Sequence, residues 1–166
     1  KIFAILTFLS VVFLSFAEIS EDQVLIFKKN FHKGNLQDKI KVLTDAASLE
    51  GDLSEIFLIS MDFVEKYSII LSDDPAMISL ASITMENLSK VSATNAISFL
   101  SNVFVNFQSD TIKKASLKAI YENNYSDSKL NNLIVDYGLF LLENDFQNEE
   151  AMLSLVQSIE KLNDSV

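Results

Sequence analysis

The chain has 166 residues and a formal net charge of −10, with 13 basic residues, all of them lysine, against 23 acidic ones. It contains no cysteine, which excludes disulfide frameworks, thiol nucleophiles and zinc sites built on thiolates. Its single histidine, His32, has no second histidine with which to form a metal site. The acidity disfavours nucleic acid and anionic membrane surfaces, because both select clusters of basic side chains.

Residues 1–17 are almost continuously apolar after Lys1 and end with Ser15 and Ala17, two small residues placed as a signal peptidase requires. A helix over residues 2–17 would reach ~24 Å, which is short of a hydrocarbon core of ~30 Å. We therefore expect a cleaved secretory signal over residues 1–17, with an uncleaved N-terminal anchor as the alternative. Residues 18–166 then form a single helical domain.

Capping and breaking residues divide the rest of the chain into eight predicted helices. Ser20 with Gln23 is typical of a capping-box start, and Gly34 ends the helix that follows. Asp74 is a predicted N-cap with Pro75 at the first helical position. Further predicted caps are Asp52, Ser92, Ser109 and Ser126, and the predicted helices cover 20–32, 36–49, 52–71, 75–89, 93–107, 110–123, 127–144 and 148–162.

Alternate helices align as an internal repeat. Their predicted cap positions are Gln37, Asp74, Ser109 and Asn148, at intervals of 37, 35 and 39 residues. Small residues recur ten positions after each cap, and small residues let two helix axes approach closely. We therefore expect close helix–helix seams at this position and at Ala81; the recurrent small residues are Ala47, Thr84, Ala119 and Ser158.

Segments 74–81 and 109–120 resemble the second helix of a HEAT repeat, which typically reads Asp-Pro-x-Val-Arg-x-Ala-Ala-x-x-Ala-Leu. Over four units the resemblance covers residues 20–162. It implies an all-α, right-handed α-solenoid of about four antiparallel helix pairs; an irregular all-α bundle is the alternative. This chain departs from the motif at its arginine position, which holds Lys41, Ile78, Lys113 and Met152.

Residues that could carry chemistry have simpler structural interpretations. His32 is expected to be exposed beside the end of a helix, and Asp73 and Asp74 to precede and cap one. The sequence has no calcium-binding loop, no glycine-rich phosphate loop and no nucleophile elbow. Lys113, Lys114 and Lys118 form a basic cluster on one predicted helix, which is typical of a solvated helix face. We therefore predict no enzyme activity, no cofactor and no metal site.

HEAT-like proteins generally act as scaffolds, so the resemblance implies an exported, non-catalytic protein that binds another protein on its concave face. The second helices of the pairs would line that face, and their lysines would favour an acidic segment of the partner. The predicted partner-binding residues are Lys41, Ser79, Ser82, Lys114, Lys118 and Lys161.

The alternative function is a carrier that holds an apolar ligand inside a helical bundle. The abundance of phenylalanine and the nearly all-apolar third helix would suit such a carrier. In either case we expect an extracytoplasmic protein, periplasmic or secreted. The use of lysine alone, with much asparagine and isoleucine, is typical of an AT-rich bacterial genome.

The signal hypothesis predicts that the exported protein begins at Glu18, because signal peptidase cleaves after the small residue Ala17. N-terminal sequencing of protein recovered from the extracytoplasmic fraction measures this directly. A mature chain that still begins with Lys1 or Ile2 would show that residues 1–17 act as an anchor.

Overall fold

The computed structural model describes residues 19–144 and 149–163, so the predicted signal at 1–17 and the predicted cap Asn148 lie outside the described residues. The described residues form eight α-helices and one short 3₁₀ helix, with no β-strand, which confirms the all-α prediction. The helices are α1 (Glu21–Lys33), α2 (Leu36–Ala47), α3 (Ser54–Leu71), α4 (Pro75–Glu86), the 3₁₀ helix (Leu88–Lys90), α5 (Ala93–Asn106), α6 (Asp110–Asn123), α7 (Ser128–Asn144) and α8 (Glu149–Asn163).

Three predicted N-caps are confirmed by hydrogen bonds from the first turn of their helices. Ser20 Oγ accepts a hydrogen bond from the backbone N–H of Gln23 at 3.3 Å. The side-chain oxygen of Gln23 accepts one from the backbone N–H of Ser20, which completes the capping box. Asp74 Oδ1 accepts from the backbone N–H of Ala76 at 2.7 Å. Ser92 caps α5 in the same way. These local bonds satisfy backbone donors that have no partner within the helix.

Two predicted N-caps are wrong. The N-cap of α2 is Asn35 instead of Gln37, because Asn35 and Asp38 exchange hydrogen bonds of 3.0 and 3.1 Å and form a capping box of their own. The start of α7 is capped by Asp127 instead of Ser126, since Asp127 Oδ1 accepts from the N–H of Lys129 at 2.8 Å. The corrected caps move the repeat alignment of α2 by two residues.

Asp52 was also predicted as a cap, but the N-cap of α3 is Leu53, which has no side-chain cap bond. Asp52 Oδ1 instead accepts from both the Oγ and the N–H of Ser54, and these bonds hold the pKa of Asp52 below its usual value. Ser109 occupies the N-cap of α6 without a side-chain cap bond. The fourth helix ends at Glu86, before the predicted residue 89, because the chain tightens into the 3₁₀ helix.

Extensive helix contacts follow a regular order along the chain. The even-numbered helices pack in succession, α2 on α4, α4 on α6 and α6 on α8, and the odd-numbered helices do the same from α1 to α7. Contacts α1–α2, α3–α4, α5–α6 and α7–α8 join the two series. Among the described α-helices, extensive contacts join only helices whose numbers differ by one or two.

The buried apolar side chains form one continuous cluster that runs through all eight helices. Its largest fully buried members include Phe31, Phe57 and Phe99. Among the buried polar side chains, Ser60 and Thr84 share a 2.6 Å hydrogen bond between their hydroxyls, which joins α3 to α4. Within the described part of the chain, no helix is both long enough and apolar enough to cross a membrane.

The buried small residues predict a measurable packing effect. Ala119 is only 4% exposed on α6, a helix that packs against both α4 and α8. We expect Ala119→Leu to overpack this seam and to lower the free energy of unfolding by ~1–3 kcal/mol. Urea denaturation measures the loss, and Ala93→Leu, at an exposed position of α5, is the matched control. Equal midpoints for the Ala119 variant and the parent protein would contradict the seam.

Candidate functional site

Two of the predicted partner-binding residues lie together. Lys114 and Lys118 line a groove of about 360 Å³ between α6 and α8, whose other lining residues include Tyr121, Ser154 and Gln157. Lys118 is exposed and its Nζ lies 3.8 Å from the carboxylate of Glu122 one turn away. Because an exposed ion pair of this kind contributes little free energy, Lys118 can exchange Glu122 for another acidic group.

The other predicted residues are distributed along the even-numbered helices. Lys41 lines a separate groove between α1 and α2 and forms a 2.6 Å ion pair with Asp45. Ser79 is exposed on α4, whereas Ser82 is half-buried and donates to the carbonyl of Ile78 at 2.9 Å. The side chain of Lys161 lies outside the described residues. Among the described side chains of this set, the structure places Lys114 and Lys118 in one groove.

Lys113 does not lie on a solvated face as its neighbours in the sequence suggested. It is 9% exposed, and its Nζ donates a hydrogen bond to the carbonyl oxygen of Phe104 near the end of α5. The ammonium lies 4.4 Å from the ring centroid of Phe104 and 5.8 Å from that of Tyr137 on α7. The aromatic faces attract the cation, so this lysine joins three helices.

Lys39 on α2 makes the same kinds of contact, with a helix-end carbonyl and two aromatic rings. Its Nζ donates to the carbonyl oxygen of Gly34 at the end of α1 and lies 5.2 Å from the Phe31 ring and 4.9 Å from the Phe63 ring. Lys39 and Lys113 each stand four residues after the N-cap of an even-numbered helix. With Asn35 as the N-cap of α2, the residue that aligns with Lys113 is Lys39 and not Lys41. If Asn35 is taken as the N-cap of α2, the sequence alone shows a lysine four residues after the N-caps of both α2 and α6.

Burial lowers the pKa of both lysines, because it penalises the charged ammonium. At Lys39 the neighbouring carboxylate of Asp38 opposes this effect. At Lys113 burial is the cause of the lowered pKa. The two sites thus share one geometry but differ in charge compensation.

A second groove, of about 500 Å³, lies beside Lys113 between α5 and α7. Two apolar side chains on its wall, Val105 and Phe140, are 53% and 55% exposed. Such exposed apolar groups become favourable contacts when a ligand covers them. The lining also includes Phe104, Asp110, Leu133 and Tyr137.

The remaining candidates have structural roles or none. His32 is exposed near the end of α1 and its ring meets Phe31 edge-on at 6.5 Å. Asp74 is engaged as the cap of α4. Within residues 19–144 and 149–163, no group of three or more histidine, aspartate and glutamate side chains is placed to hold a metal ion.

No family model, no curated protein and no solved structure matches this chain. Its candidate sites are therefore defined by its own residues, namely the α6–α8 groove with Lys114 and Lys118 and the α5–α7 groove with Lys113.

The buried ammonium of Lys113 predicts a specific alkaline response. Burial lowers the pKa of Lys113 in the folded state, whereas a lysine in the unfolded chain has a pKa of ~10.4. Between these two pKa values the unfolded chain binds more protons than the folded protein. The contribution of Lys113 to the free energy of unfolding therefore rises with pH in this range. Tyr125, whose pKa is raised by burial, acts in the opposite direction, and a comparison with Lys113→Met cancels its effect. We expect the stability difference, parent minus variant, to increase from pH 7 to pH 10.

Urea unfolding of both proteins across this pH range measures the difference. The control is Lys129→Met, which removes the same charge from an exposed lysine of α7. A constant or falling difference for the Lys113 variant would contradict the expected burial of a charged ammonium.

Proposed function

We propose that this chain is an exported, non-catalytic α-solenoid of HEAT type that binds another protein. The order of helix contacts supports the solenoid, because each helix packs mainly on its pair partner and on the next helix of its own series. Stacking of this kind gives each repeat contacts only with its neighbours. The export component rests on residues 1–17 of the sequence.

Polar contacts between successive units also support the proposal. The amide of Asn102 on α5 donates to Glu65 Oε1 on α3 at 3.0 Å, across 37 residues of sequence. Asn106 donates to Ser68 Oγ, also at 3.0 Å, across 38 residues. The Tyr125 hydroxyl donates to the carbonyl of Leu88 across 37 residues. These separations match the repeat interval predicted from the sequence.

Most of the exposed large apolar side chains among the described residues lie on α1, α7 and α8, at the two ends of the series, although Ile69 and Ile70 of α3 are also exposed. Leu25 and Ile26 on α1 are examples at one end, and Val135 and Leu139 on α7 at the other. In a stack, the first and last pairs lack a neighbour on one side, so this distribution favours stacking over a closed bundle. The grooves formed by the described residues are open to solvent, and the apolar core between the helices is continuous. Both observations favour a protein-binding surface over an enclosed cavity that carries a ligand.

The observation that carries the binding function is the pairing of Lys114 and Lys118 in the α6–α8 groove of an otherwise acidic protein. Local positive charge in a groove with an aromatic side chain, Tyr121, suits an acidic peptide segment that also carries apolar residues. The partner class we propose is therefore a protein with an exposed acidic and apolar segment.

A labelled peptide of alternating glutamate and leucine tests this site, with a glutamine–leucine peptide as the neutral comparison. We expect the parent to bind the acidic peptide more tightly, with an affinity that falls as salt increases. The Lys114→Glu/Lys118→Glu variant should lose most of this preference, since both attractive charges become repulsive. Fluorescence anisotropy at several salt concentrations measures it.

The matched control is Lys29→Glu/Lys129→Glu, which makes the same change in total charge at exposed lysines of α1 and α7. This control should retain the preference for the acidic peptide. Equal losses in the two double variants would show that only total charge matters, and would remove the α6–α8 groove as the binding site.

A further inference from the structure

The Lys113 ammonium is buried without a negative partner. It is 9% exposed, and its described hydrogen bond goes to the neutral carbonyl oxygen of Phe104. An ammonium group carries three donors, so two remain after this bond is made. Among the described residues, no carboxylate forms an ion pair with Lys113; Asp110, one turn earlier on α6, lines the same groove without reaching ion-pair distance.

The groove that Lys113 lines also has apolar and aromatic side chains in its lining, together with the polar side chains of Gln108, Asp110 and Asn144. Its volume of about 500 Å³ falls within the range of small-ligand sites. Val105 at the end of α5, with Leu133 and Phe140 on α7, supplies aliphatic and aromatic surface, and two of these side chains are more than half exposed. One buried cation therefore faces a wall suited to a hydrocarbon chain.

The equivalent lysine, Lys39, lacks this combination. Asp38 lies beside it and partly compensates its charge. The neighbouring groove has a volume of about 300 Å³, and its lining includes the charged side chains Asp62 and Lys66. The two lysines share a structural role at helix ends, but only Lys113 joins an uncompensated charge to a large apolar wall.

We propose that the α5–α7 groove binds a fatty carboxylate, with the carboxylate on Lys113 Nζ and the alkyl chain along Val105, Leu133 and Phe140. A single ammonium with Asp110 nearby favours a monoanion over a dianion such as a phosphate monoester. Each methylene group covered by the wall should raise affinity about fourfold. This site is separate from the α6–α8 groove, so it stands independently of the protein-binding function.

Decanoate and decanol are the probes, and titration calorimetry on the full chain is the measurement. We expect the parent to bind decanoate more tightly than decanol. Lys113→Met keeps a long unbranched side chain but removes the charge, and should weaken decanoate binding at least about tenfold while changing decanol binding less than about twofold. Lys39→Met is the matched control and should leave decanoate binding unchanged.

Phe140→Ser provides a second test at an exposed position, and it remains informative if the Lys113 variant does not fold. It should weaken decanoate and decanol alike, because it removes part of the wall and no charge. Decanol binding to the parent as tightly as decanoate, tighter binding of decyl phosphate, or equal weakening of decanoate by Lys113→Met and Lys39→Met would each overturn the proposal.

Discussion

The carbonyl groups at the C-terminal end of each helix are the constraint on which this structure depends, because an α-helix leaves its last four carbonyls without partners. Glycine commonly ends helices in a conformation that satisfies them, but this chain has only three glycines in 166 residues. Lysine side chains satisfy some of these carbonyl groups instead. Lys39 and Lys113 donate hydrogen bonds to carbonyl groups at the ends of α1 and α5. Lys90 donates to the carbonyls of Ala47, the last residue of α2, and of Leu49, just beyond it, at 3.3 and 3.4 Å.

Asparagine satisfies other helix ends in a more local way. Asn87, Asn123 and Asn144 each donate from their side-chain amide to the carbonyl four residues earlier, at the ends of α4, α6 and α7. Such a bond closes one helix without connecting it to another. A lysine with its long stem connects two helices, and its cation is also favoured by the negative end of the helix dipole. These lysines therefore connect neighbouring helices, whereas these three asparagines only end the helices that carry them.

This division explains what the sequence could predict. Caps such as Ser20 and Asp74 depend on residues two or three positions away, so local patterns were sufficient to place them. The N-cap of α2 was missed because its capping box uses Asn35 with Asp38, whereas the usual pattern has glutamate or glutamine in the third position. The burial of Lys113 depends on Tyr137, a residue of another helix, and no local pattern contains that contact.

The cluster of lysines on α6 shows how helical geometry separates roles that the sequence places side by side. Lys113 points to the aromatic rings of α5 and α7, whereas Lys114 and Lys118 line the groove toward α8. The net charge of −10 repels acidic partners at long range, but salt screens such fields over ~8 Å, so the groove lysines dominate only at contact. Under the proposed function, such a groove would select a short acidic segment carried by a partner of low overall negative charge, since a strongly acidic partner would be repelled before the segment reached the groove.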